Sequence, residues 1–99
     1  MIHITEKDKT ALIAILQRFV PKASIYVFGS RATGIRLKPF SDLDLAIDNH
    51  QPLQLHEELD IKEALDESNI PYRVDIIDLK TIDPGFLKII EKDITLLLG

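Results

Sequence analysis

Two aspartates stand two residues apart in the run Ser41-Asp42-Leu43-Asp44-Leu45. In a strand, residues two apart share a face. Their carboxylates would stand about 6–7 Å apart at ~3.3 Å of rise per residue. Leu43, Leu45 and Ile47 then turn the other way, into a core. Paired carboxylates repel unless a cation lies between them. Oxygen donors without cysteine or histidine beside them favour Mg²⁺ or Mn²⁺. A solvated pair of aspartates at a strand entrance is the plain alternative, although Asp is disfavoured in strands. Phe28-Gly29-Ser30-Arg31 is the second feature, placed where a β-prone run ends. Glycine lets the backbone approach a ligand closely, and a serine hydroxyl with nearby backbone N–H groups can bind phosphate oxygens. An ordinary turn, with Arg31 a solvated charge, is the alternative. The third feature is Asp75, inside the apolar run Arg73-Val74-Asp75-Ile76-Ile77. A carboxylate there is costly unless paired or metal-bound. Pairing with Arg73 at an exposed edge is the other reading.

The elements that must position these residues read as follows. A helix runs from about Glu6 to Val20, with Thr5 as N-cap and Glu6 and Asp8 in the first turn. Leu12, Ile13, Leu16, Phe19 and Val20 recur at helical spacing, and Pro21 stops the helix. Ser24 to Phe28 is a strand closed by Gly29, and Ser30 to Phe40 is a loop broken by Gly34 and Pro39. Leu43 to Ile47 is a second strand, with Asp42 at its start. Pro52 opens a helix to about Ser68, burying Leu55, Leu59 and Leu65. Tyr72 to Leu79 is a third strand. Asp83-Pro84 marks a short helix to about Lys92, and Ile94 to Leu98 is a final strand. The order predicts an α/β (α+β) domain: a small mixed sheet of about four strands packed by helices. If the third strand lies beside the second, the three carboxylates converge.

Length and composition bound the function. The 99 residues fit one compact domain. The chain has no cysteine, which excludes a disulfide framework and a thiolate metal site. No apolar run approaches the ~18 residues that span a bilayer, and the opening MIHITEKDK does not read as a signal peptide. The expectation is a cytoplasmic protein without a membrane role. A net charge of −4 argues against general nucleic-acid binding. Charge is unevenly spread, though. Arg31, Arg36 and Lys38 form a short basic loop, and acidic residues dominate from Asp42 to Glu67. A basic loop beside carboxylates suits a metal-bound polyphosphate.

In combination, Val27-Phe28-Gly29-Ser30-Arg31-Ala32, Gly34, Ser41-Asp42-Leu43-Asp44-Leu45, Val74-Asp75-Ile76 and the closing run Phe86 to Leu98 resemble the minimal nucleotidyltransferase family. That family lies within the DNA polymerase β-like nucleotidyltransferase superfamily, and the resemblance covers Tyr26 to about Leu97. It implies that Gly29 and Ser30 hold the β- and γ-phosphates, with Arg31, Arg36 and Lys38 offsetting charge on the triphosphate. It implies that Asp42 and Asp44 bind two Mg²⁺ ions, with Mn²⁺ as a substitute. Asp75 would ligate the metal on the acceptor side and help deprotonate the attacking hydroxyl. The implied reaction moves a nucleoside monophosphate, AMP from ATP, and releases pyrophosphate. The family often carries Ala-Arg-Gly where this chain has Ala32-Thr33-Gly34, leaving Arg36 or Lys38 as the available replacement.

Family members of this length commonly pair with a HEPN-domain toxin. The resemblance implies an antitoxin that adenylylates a tyrosine of that partner. A different class of function, a module that neutralises its partner by contact alone, stands beside it. A phosphatase of the haloacid dehalogenase type, with Asp42 as nucleophile, needs more motifs than this length accommodates. His3, His50 and His56 are scattered without metal-ligand spacing.

Overall fold

The computed structural model describes residues 2–99. Its elements are α1 (Glu6–Phe19), β1 (Ser24–Phe28), α2 (Ser30–Thr33), β2 (Leu43–Asp48), α3 (Leu55–Glu67), β3 (Val74–Asp78), α4 (Pro84–Ile90) and β4 (Thr95–Leu98). The strands form one mixed sheet in the order β3-β2-β1-β4. β1 pairs antiparallel with both β2 and β4, and β2 pairs parallel with β3. Parallel neighbours need a long crossover, and α3 supplies it.

The helix ends follow local chemistry. Thr5 Oγ1 accepts the Asp8 N–H at 3.1 Å, satisfying one orphan donor of α1. Gln54 caps α3 in a capping box, its N–H donating to Glu57 Oε1 at 2.9 Å. Asp83 Oδ1 accepts from Gly85 N, with Pro84 at the first helical position of α4.

Period-two alternation divides the sheet into two faces. Leu43, Leu45 and Ile47 of β2 join Ile25, Val27 and Ile76 beneath α1 and α3, which contribute Leu12, Leu16, Ile61 and Leu65. On the second face, Phe28 and Ala46 form a smaller cluster with Ile90 of α4. Asp44 alternates with Leu43 and Leu45, so it stands on this second face, which the long helices leave uncovered.

Several elements are shorter than the sequence reading has them, α3 starting at Leu55 under a Gln54 cap and not at Pro52, and three further departures bear on the site and the core. Ser30–Thr33 is a helical turn rather than loop, started by Gly29 and ended by Gly34 in the left-handed conformation. Asp42 lies before β2, not in it. In α3 the buried residues are Ile61 and Leu65, while Leu55 and Leu59 are 72% and 54% exposed. Helical phase explains the last point: at 3.6 residues per turn, two residues turn the helix by about 200°. Ile61 and Leu59 therefore point to opposite sides, and α1 selects the side of Ile61.

Candidate active site

The site begins where β1 stops. Gly29 has φ 75° and ψ −156°, a region that only glycine occupies without strain. Ala32 and Thr33 both donate their N–H to the Gly29 carbonyl, at 3.0 and 3.1 Å, so the chain winds at once into α2. The first N–H groups of a helix have no partner within it, and here they belong to Ser30 and Arg31. Register places Phe28 opposite Asp44. Asp44 therefore lies against the glycine turn. A Cβ at position 29 would meet Asp44 Oδ2 at 2.6 Å.

Parallel pairing places Asp75 directly beside Asp44. Burial first, then the carboxylates of Asp75 and Asp42, raises the Asp44 pKa above its ordinary value, with Arg73 opposing. Asp75 bonds Arg73, Oδ1 accepting from Nε at 2.9 Å in an exposed ion pair. Both readings of Asp75 therefore hold together: it converges on Asp44 and it pairs with Arg73. Asp42 is exposed at the mouth of β2. Among the described residues no three acidic or imidazole side chains form a ready cage for a cation. The donor set nonetheless suits a hard divalent ion. It is all oxygen, and its half-buried member carries repulsion that Arg73 offsets only in part and that a cation would relieve. Gly29 leaves the space beside Asp44 that any side chain would fill.

The basic residues divide. Arg36, with φ 57°, and Lys38 are exposed on the loop, and among the described residues neither enters an ion pair. Both remain open to an anion. Arg31 is different. It is only 6% exposed, and its guanidinium donates to the carbonyls of Ser41 (2.8 Å), His3 (3.0 Å) and Pro39 (3.1 Å). It also lies 3.7 Å from the centroid of the Tyr72 ring. The expected side-chain contact from Arg31 to a nucleotide is corrected accordingly, because the guanidinium is spent inside the protein. Sequence reading had no signal for this role. Tyr72 and His3 lie 41 and 28 residues from Arg31 along the chain, and neither composition nor spacing links them to it.

Residues 10–99 match the model of the polymerase beta nucleotidyltransferase family. This chain belongs to that family. The resemblance in the glycine–serine turn and the paired aspartates is thus a true membership, and this nucleotidyltransferase has the four-stranded mixed sheet expected of it. Among curated relatives it is 40% identical over 91 residues to the probable protein adenylyltransferase MntA of Haemophilus influenzae, covering 92% of this chain and 79% of the relative. A crystal structure of a toxin–antitoxin with AMP-PNP superposes with a TM-score of 0.77 at 25% identity, over 92% of this nucleotidyltransferase and 73% of that chain. A complex of a tri-AMPylated Shewanella oneidensis HEPN toxin with an MNT antitoxin gives 0.74 at 22% identity, over 97% and 73%. That last likeness is one of fold. Membership excludes the phosphatase reading of Asp42.

Proposed function

We propose that this nucleotidyltransferase transfers AMP from ATP to a tyrosine hydroxyl of a HEPN-domain toxin and serves as its antitoxin. Register-matched Asp44 and Asp75 beside a glycine turn is the observation that carries the reading. One end of the site offers backbone N–H groups and the other offers carboxylates, and no side chain stands at Gly29 between them. Similarity to a probable protein adenylyltransferase supports the transferred group, and the toxin–antitoxin complexes support the kind of partner. The proposed setting is the cytoplasm, with residues 1–99 acting as one nucleotidyltransferase domain.

In this reading Gly29 and Ser30 receive the β- and γ-phosphates, with Arg36 and Lys38 offsetting their charge. Asp42, Asp44 and Asp75 hold two Mg²⁺ ions, which when bound stabilise charge on the attacking and leaving oxygens. The tyrosine oxygen attacks the α-phosphorus, a new P–O bond forms, and the bond to the bridging α–β oxygen breaks. Pyrophosphate leaves. Asp75, at the sheet edge, takes the phenolic proton, and Arg73 must release Asp75 for it to do so.

Incubation of the chain and a HEPN partner with labelled ATP tests this. Label should reach the partner from the α-phosphate and not from the γ-phosphate, and Asp44→Asn should abolish transfer. Transfer of γ label, or none by a complex that binds MgATP, overturns the reading. The contact-only alternative draws on one observation, Thr33 in the place of the family's usual arginine. Under it, an Asp42→Asn/Asp44→Asn variant would still neutralise the partner.

A further inference from the structure

We infer that Arg31, stacked on Tyr72, is a positioning residue that sets the approach of Asp42 and Asp75 to the site. The inference deepens the function proposed above and rests on it. Arg31 follows Ser30 directly, so its backbone belongs to the phosphate-binding turn. Its side chain turns inward and gathers three segments. Pro39 and Ser41, whose carbonyls it holds at 3.1 and 2.8 Å, flank Phe40 immediately before Asp42. Tyr72, under its guanidinium at 3.7 Å, precedes β3 and Asp75. His3 accepts from it at 3.0 Å and in return donates its N–H to the Arg31 carbonyl at 2.7 Å.

The need for such a clamp follows from Asp42. It is exposed and lies outside β2, so no ladder hydrogen bond places it. The loop ahead of it decides where its carboxylate stands. That loop is braced at its end by Ser41, whose Oγ accepts from Lys38 N at 2.8 Å, and by Arg31. Leu43 N donates to the Arg73 carbonyl at 2.8 Å, which ties the start of β2 to the residue after Tyr72. A movement at Arg31 therefore reaches Asp42 and Asp75 together.

Packing alone does not explain an arginine here. Burying a charge without a carboxylate partner is costly, and an apolar side chain of similar volume would fill the space. The planar guanidinium fork is what reaches three carbonyls while lying flat on a ring. A lysine ammonium has neither the fork nor the plane. Tyr72 is held in turn by its hydroxyl, which donates to Asp8 Oδ2 of α1 at 3.2 Å.

The test uses the metal-free chain and Mn²⁺ alone as probe. Arg31→Lys and Tyr72→Leu should each weaken Mn²⁺ binding, read by electron paramagnetic resonance, by roughly tenfold. The double variant should be little worse than either, because one clamp is broken once. Amide exchange at residues 40–44 should quicken in both single variants, while that of Ile25 and Val27 stays slow. Ile61→Val, which loosens the core away from the site, should leave Mn²⁺ affinity unchanged. If Arg31→Lys does not fold, Tyr72→Leu carries the same expectation. Wild-type Mn²⁺ affinity and unchanged exchange at 40–44 in a folded variant would overturn the positioning role and leave the site standing. A wild-type chain that binds no Mn²⁺ would instead sink the metal-dependent reading of the site.

Discussion

A methyl group on Gly29 would stand 2.6 Å from Asp44 Oδ2, so the carboxylate keeps its place only because position 29 has no side chain. Two separate penalties therefore attach to Gly29→Ala. The φ of 75° strains any other residue, at a cost of about 1–3 kcal/mol. The methyl also displaces the Asp44 carboxylate. The expected result is a folded protein with a lower melting temperature and at least tenfold weaker MgATP binding. Circular dichroism and calorimetry measure the two effects separately.

Asp44 should cost the metal-free protein stability. Burial, Asp75 and Asp42 raise its pKa, so the folded chain holds the proton more tightly than the unfolded chain. Stability from this source is complete below the unfolded value, about 3.9. It is lost as pH rises through the higher folded value. Asp44→Asn removes the loss. Urea midpoints in chelator should match near pH 4, and the variant should pull ahead as pH rises toward neutrality. Added Mg²⁺ and ATP should reverse the ranking, since only the wild type gains from binding. Equal midpoints at pH 7 in chelator would contradict the electrostatic account.

Tyr72 should titrate late. Burial first, then the Asp8 carboxylate, pushes its phenol up to about 12, against the Arg31 charge. Its stabilising contribution is present below the ordinary value of about 10 and disappears as pH rises through the folded value. Tyrosinate absorbance, taken as the difference between wild type and Tyr72→Phe, should appear mainly above pH 11. Asp8→Asn should bring it lower. Ionisation near pH 10 in the folded wild type would show that the ring is not held as described.

The face of α3 gives a stability test. Ile61 is fully buried against α1, and Leu59 is 54% exposed. Ile61→Ala should cost about 2–5 kcal/mol through lost contacts and a cavity. Leu59→Ala should fall within about 0.5 kcal/mol, as surface changes do. Denaturant melts of the two variants decide it, and a reversed order would place the wrong side of the helix in the core.

Much of this protein is determined locally. Thr5, Asp83 and Pro84 set helix starts through caps and a fixed φ, which act within one turn of chain. Alternation in Leu43–Asp48 sends leucines and aspartates to opposite faces because a strand has a period of two. The glycine–serine turn and the paired aspartates were legible for the same reason, being short-range patterns. What lay beyond that range only the tertiary structure decided. Sequence could not place Asp75 beside Asp44, because strand neighbours are chosen by packing and by the α3 crossover. It chose Leu59 over Ile61, because helical phase is resolved only by a partner such as α1. It aimed Arg31 at the nucleotide, because a buried guanidinium needs carbonyls from Pro39, Ser41 and His3. Those three come together only when the loop, the amino-terminal segment and α2 close on one point.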